Sequence, residues 1–143
     1  MKVKEVMTGR PECIAPTATV QEAAARMKSL DVGSLPVCDN DRLVGVITDR
    51  DIAVRSVAEG HDPTRDHVRE TMSPGIIYCF DDQDAKEAAD LMGEKQIRRL
   101  PVLDRNKQLV GIVSLGDLAV EGRDDWMSGD ALKHISETND GWR

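Results

Sequence analysis

Aromatic side chains make up 3% of this chain, with two Trp, one Tyr and one Phe among 143 residues. A core of that composition has to be assembled from Val, Ile, Leu, Met and Ala, which suits strands and helices in close contact. Histidine is equally scarce, and His61, His67 and His134 lie in polar surroundings without metal-ligand spacing. Cys13, Cys38 and Cys79 form no C-x-x-C pair, and they are expected to be structural thiols in a reducing cytoplasm. No apolar run approaches the roughly 20 residues of a membrane span, and the first residues lack the apolar centre of a signal peptide. A soluble, cytoplasmic protein is expected. Nor is there a G-x-S-x-G, a P-loop or any acid-base constellation, so catalysis has no support and no enzyme is expected.

Positive charge is also in deficit. With 19 basic against 26 acidic residues the net charge is −7, which disfavours nucleic acid and anionic membranes as partners. A small anion in a locally basic cleft remains compatible with this balance.

What the chain does have is itself, twice. VKEVMT (Val3 to Thr8) returns as VRETMS (Val68 to Ser73), 65 residues on. QEAAARM at Gln21 returns as KEAADLM at Lys86, and LPV at Leu35 as LPV at Leu100, both at that same offset of 65. LVGVITDRDIA (Leu43 to Ala53) returns as LVGIVSLGDLA (Leu109 to Ala119), 66 residues on, so one residue entered the intervening turn. Blocks recurring in constant order make the chain a duplicated unit.

Each copy reads as β-α-β-β-α. A brief first strand, CIA (Cys13 to Ala15) or IIYCF (Ile76 to Phe80), precedes a helix. In the first copy Thr19 and Glu22 form a capping box, followed by an apolar stripe of Val20, Ala23, Ala24, Met27 and Leu30. Ala85, Ala88, Ala89 and Met92 repeat that stripe. Two strands follow, SLPVC and LVGVIT around the turn DNDR, then RLPVL and LVGIVS around DRNKQ. A closing helix spans about Arg50 to Glu59, with Gly60 as C-cap, and Gly116 to Glu121 in the second copy. The boundaries expected are residues 1–60, a polar linker at 61–67, 68–122, and a tail at 123–143. A unit of roughly 60 residues buries little surface alone. Two such units are therefore expected to pack sheet to sheet about a pseudo-twofold axis, with a crevice for each copy.

The blocks VMT, EAAARM, GSLPV and LVGVITDRDIA, with their second-copy counterparts, resemble a tandem pair of CBS domains over about residues 3 to 121. The chain is similar to the small stand-alone CBS-pair proteins of bacteria. That resemblance implies a regulatory Bateman module whose clefts bind AMP, ADP or ATP, and which pairs into a homodimer. It further implies that a hydroxyl, Thr48 or Ser114, meets a phosphate, and that a carboxylate, Asp51 or Asp117, meets the ribose. The adenine edge would lie by the backbone near Ala15 and Phe80.

Elementary chemistry stands beside the resemblance. A strand turning into a helix leaves unpaired N–H groups that favour an anion, and a hydroxyl adds a further donor. An acceptor-only carboxylate repels phosphate and suits a sugar diol. The same T-x-x-D and S-x-x-D spacing equally describes a helix cap, as Thr19-x-x-Glu22 does. Arg50 lies inside the first motif, within reach of a phosphate or an ion pair. Arg98 and Arg99 replace Gly33 and Ser34, and Arg99 is the one favoured to enter a cleft. Leu115-Gly116 replaces Asp49-Arg50, so unequal half-sites are expected.

No cofactor is required by this reading, since the adenine nucleotide is a regulatory ligand, and no metal site is expected. The alternative is a constitutive dimerisation or scaffold protein with vestigial clefts. The tail holds Trp126 and Trp142, with a possible helix near Ser128 to Glu137 that either docks on the module or meets a protein partner.

Overall fold

Helix starts and tight turns place the elements of this chain, and both halves use the same devices. A computed structural model describes residues 1–73 and 76–121, so the expected tail helix lies outside the described residues. In chain order the first half holds α1 (Val3–Val6), β1 (Thr8–Gly9), α2 (Val20–Leu30), β2 (Ser34–Asp39), β3 (Arg42–Thr48) and α3 (Asp49–Asp51). Directly after α3 comes a π-helix, Ile52–Val57. The second half holds α4 (Val68–Thr71), β4 (Cys79–Phe80), α5 (Ala85–Lys95), β5 (Arg99–Leu103), β6 (Leu109–Ser114) and α6 (Leu115–Glu121).

α2 begins at the expected capping box. The Glu22 N–H donates to Thr19 Oγ1 at 3.1 Å, and the Thr19 N–H donates to Glu22 Oε2 at 3.2 Å. The two preceding helical N–H groups, of Val20 and Gln21, donate to the carbonyls of Asp66 and Pro63 at 2.9 and 3.0 Å. The polar linker therefore completes the start of α2, satisfying donors that would otherwise be orphaned. Val20, Ala23 and Met27 are buried, whereas Ala24 and Leu30 of the expected stripe are exposed. One narrow ridge at 3-to-4 spacing suffices against a core of small side chains. In α5 all four expected positions, Ala85, Ala88, Ala89 and Met92, are buried.

The chain separates into two compact units, and neither coincides with a repeat. One is Glu12–Ile76; the other joins Met1–Pro11 to the chain from Ile77 onward. The cause is an exchange of leading segments. α1 and β1, which open the first repeat, complete the sheet of the second, whose strand order is β1-β6-β5-β4. Thr8 pairs antiparallel with Ile112, and the N–H groups of Val3 and Lys4 donate to the carbonyls of Gln83 and Asp81 at 2.8 and 3.0 Å. In the other unit Ser73 bridges Val46, and Val68 and Arg69 donate to the carbonyls of Ala18 and Pro16 at 2.8 and 3.0 Å. There β2 and β3 pair as a hairpin through Asn40 and Asp41, both at positive φ. Ile14 joins β2 by one parallel bridge to Val37. Each unit is thus a mixed α/β layer of helices on a small sheet.

Apolar anchors hold these segments. Val3 and Val6 are buried with Ala85, Met92, Leu100, Val113 and Leu118. Val68 is buried with Ile14, Ala23, Leu35, Val37 and Ile47. The repeated glycine of LVG makes room for the docked segment. A Cβ on Gly45 would stand 2.7 Å from Met72 Sδ, and one on Gly111 would strike Met7 Sδ and stand 2.9 Å from the Thr8 carbonyl oxygen.

The closing helix of the first repeat differs from the expected α-helix. Its Ala58 N–H donates to the Ala53 carbonyl at 2.9 Å, and the His61 N–H to that of Ser56 at 3.0 Å, a five-residue spacing. This wider winding has no signature in the apolar periodicity. Gly60 sits at φ 76°, the left-handed conformation expected of a C-cap.

Candidate functional site

In the Glu12–Ile76 unit, β3 ends at Thr48 and turns at once into α3. The turn closes by a reciprocal pair: the Asp51 N–H donates to Thr48 Oγ1 and the Thr48 N–H to Asp51 Oδ2, each at 3.0 Å. Asp51 is 8% exposed. Its carboxylate also accepts from the Ser73 hydroxyl, 3.1 Å from either oxygen, and faces Arg55 Nε at 3.8 Å. Ser73 and Arg55 were not foreseen from the sequence. The hydroxyl repeated at Thr8 and Ser73, closing both leading segments, was the available signal.

The second repeat builds the same turn with fewer partners. The Ser114 N–H donates to Asp117 Oδ2 at 2.9 Å, and the Asp117 N–H to Ser114 Oγ at 3.0 Å. Among the described residues Asp117 is held by Ser114 alone.

Both motifs therefore cap their helices, as Thr19 does on α2. Capping, however, uses only the acceptor side of the hydroxyl. Thr48 Oγ1 and Ser114 Oγ each accept one backbone N–H, and their own O–H protons are not donated to any described residue. The cap fixes each oxygen while leaving a donor for an anion.

The residues between hydroxyl and carboxylate serve different ends in the two copies. Asp49 is exposed; its N–H donates to the Gly33 carbonyl at 2.9 Å, and its Oδ1 accepts the Arg50 N–H at 2.8 Å. A Cβ on Gly33 would stand 3.1 Å from Asp49 Oδ2. Leu115 instead turns into the second core at 9% exposure, while its N–H donates to the Arg98 carbonyl at 3.1 Å. Arg50 is exposed beside Thr48.

Register locates the remaining candidates. Arg99 opens β5 directly opposite Ser114, as Ser34 stands opposite Thr48. Arg98 lies in the bend just before, and both arginines are exposed. Phe80 pairs with Leu103 at the far end of β5, four residues and about 13 Å from Arg99 at the usual strand rise. Ala15 is exposed and follows Ile14, the partner of Val37, so it lies at the corresponding end of β2. Each unit thus gathers hydroxyl, carboxylate and a basic or polar residue at one end of its hairpin, with the first-strand position at the other. Phe80 is further occupied: Arg105 lies over its ring at 4.0 Å, and Tyr78 meets it edge-on at 5.5 Å. Arg105 in turn donates to both oxygens of Asp82 at 2.7 and 2.8 Å, which lowers the Asp82 pKa.

Among the described residues no group of three or more His, Cys, Asp or Glu side chains could hold a metal ion. No described helix is long and apolar enough to cross a membrane.

Known proteins are similar to this chain in sequence and in fold. The CBS domain-containing protein YhcV of Bacillus subtilis is 44% identical over 137 residues, covering 96% of either chain. Hypoxic response protein 1 of Mycobacterium tuberculosis is 37% identical over 117 residues, covering 81% of either chain. A crystal structure of Hypoxic Response Protein I with two coordinated zinc ions superposes at a TM-score of 0.77 with 36% identity, covering 83% of this chain and 97% of that one. CBSX2 in complex with AMP superposes at 0.75 with 27% identity, covering 87% of this chain and 98% of that one. The CBS domain family itself matches twice, at residues 3–57 and 68–122. This chain belongs to the CBS-domain family, as a tandem pair.

Proposed function

We propose that this protein is a non-catalytic regulatory module that binds an adenosine-containing nucleotide on its hydroxyl–carboxylate turns. The observation that carries the reading is the pair of oriented, uncommitted donors, the Thr48 and Ser114 hydroxyls, each at a strand-to-helix turn. Each donates to a phosphate oxygen, with Arg50 beside the first and Arg99 opposite the second to balance charge. Asp51 and Asp117 accept from ribose hydroxyls. The backbone near Ala15 and Phe80 flanks the base, so the ligand lies along β2 or β5 with its phosphate toward the helix start. The AMP complex of CBSX2, a solved relative, supports an adenylate as the ligand class.

Binding regulates only where the ligand prefers one state of the module to another. In this reading the module pairs with a second copy, and the nucleotide biases that pair; sedimentation with and without ligand reads the effect.

Calorimetry and thermal shift against AMP, ADP, ATP, NAD and S-adenosylmethionine test the proposal. A ligand specific to the folded state stabilises it by roughly 2.7 kcal/mol at 100 times Kd. Absence of any shift at millimolar concentration would sink the nucleotide reading and leave a constitutive dimerisation protein.

A further inference from the structure

Cys13 and Cys38 are 25 residues apart in sequence, yet Cys38 Sγ lies 3.0 Å from Cys13 Sγ. That is about 1 Å beyond a covalent S–S bond. The first-strand bridge brings them together. The Ile14 N–H donates to the Pro36 carbonyl and the Cys38 N–H to the Ile14 carbonyl, each at 3.0 Å. Ile14 and Val37, paired in parallel, enter the apolar cluster, while Cys13 and Cys38, each one residue away, meet outside it. A bulge between Val37 and Cys38 re-aims the second thiol.

The second repeat supplies an internal contrast. There Tyr78 and Leu103 take the places of Cys13 and Cys38, and Cys79 takes the core place of Ile14. Cys79 has no cysteine beside it, and its burial pushes its pKa up to about 12. Cys13, by contrast, is half-buried, and the hydrogen bond from Cys38 lowers its pKa. Nucleophilic attack needs a thiolate with access, and of the three thiols only Cys13 combines a lowered pKa with partial exposure.

We infer that Cys13 and Cys38 form a dithiol site that small-molecule disulfides oxidise to an intramolecular disulfide. The Cys13 thiolate attacks one sulfur of the reagent, forming a mixed disulfide and expelling a thiolate. Cys38 loses its proton to solvent and attacks Cys13 Sγ, expelling the second thiolate. The protein loses two electrons and two protons, and one small disulfide becomes two thiols. The bond ties the segment at Ile14 to β2, closing the loop that carries α2.

Equilibrating the folded full-length chain with reduced and oxidised glutathione, then acid-quenching, alkylating and mapping peptides by mass, tests this. The expected product is an intact chain about 2 Da lighter, with the Cys13 and Cys38 peptides joined and Cys79 alkylated after unfolding. Cys38→Ser is expected to stop at one glutathione on Cys13. The inference is overturned if both thiols stay alkylatable at the most oxidising ratio, if the wild type stops at the mixed disulfide, or if the bond joins Cys79 or a second chain.

Discussion

The Ser73 hydroxyl lies 3.1 Å from both oxygens of Asp51, joining the end of one repeat's leading segment to the first helical turn of the other. A hydroxyl proton serves one oxygen at a time, and Arg55 stands 3.8 Å from the same carboxylate. Asp51 therefore has partners beyond its own cap, whereas among the described residues Asp117 has only its cap.

Removing the two carboxylates should therefore have unequal effects. Asp51→Ala strands the Thr48 N–H and the Ser73 hydroxyl and should cost about 2–3 kcal/mol. Asp117→Ala strands the Ser114 N–H alone among the described residues and should cost about 1 kcal/mol. Urea unfolding of both variants measures the difference; equal losses would show that Ser73 and Arg55 contribute nothing.

Thr48 and Thr19 cap their helices alike, but only Thr48 lies in the proposed site. Thr48→Val and Thr19→Val should each cost about 1 kcal/mol of stability. In an Asp117→Ala background, only Thr48→Val should weaken AMP binding, by about tenfold for one lost hydrogen bond. Calorimetry that finds the two variants equal would assign the Thr48 hydroxyl to capping alone.

Gly111 and Gly45 should differ in their tolerance of a methyl group. Gly111→Ala meets the Thr8 carbonyl, which cannot move without β1, and should cost about 1–3 kcal/mol. Gly45→Ala meets chiefly the end of the flexible Met72 side chain and should cost less. Thermal unfolding of the pair gives the order.

Burial and the nearby Asp81 push the Cys79 pKa up to about 12. A thiol with a raised folded pKa favours the folded state fully below its unfolded value, roughly 8.5. That contribution disappears as pH rises from there toward 12. Melting temperature should fall across this window more steeply in wild type than in Cys79→Val, and parallel curves would contradict the assignment.

Most of the architecture was legible because the repeat states it twice. β5 and β6 fall on RLPVL and LVGIVS, and Thr19 caps α2, since alternation and capping are local signals. Which unit receives VKEVMT was not legible: an offset of 65 is the same whether a segment docks on its own repeat or on the other. The contact of Cys13 with Cys38 was hidden for a related reason, because cysteine spacing is informative only when both residues lie in one loop. In the site, the hydroxyl and carboxylate positions stood out, but their partners Ser73 and Arg55 depend on the exchange and on the closing helix. The change from Asp49 to Leu115 pointed to unequal half-sites, and it proves to be a difference in burial.

The exchanged leading segments also determine where this chain can be divided. A cut in the 61–67 linker, where the polar composition invites one, would take β1 from the four-stranded sheet and the Ser73 bridge from the β2–β3 pair. An excised repeat would display an unpaired strand edge along β3 or β6.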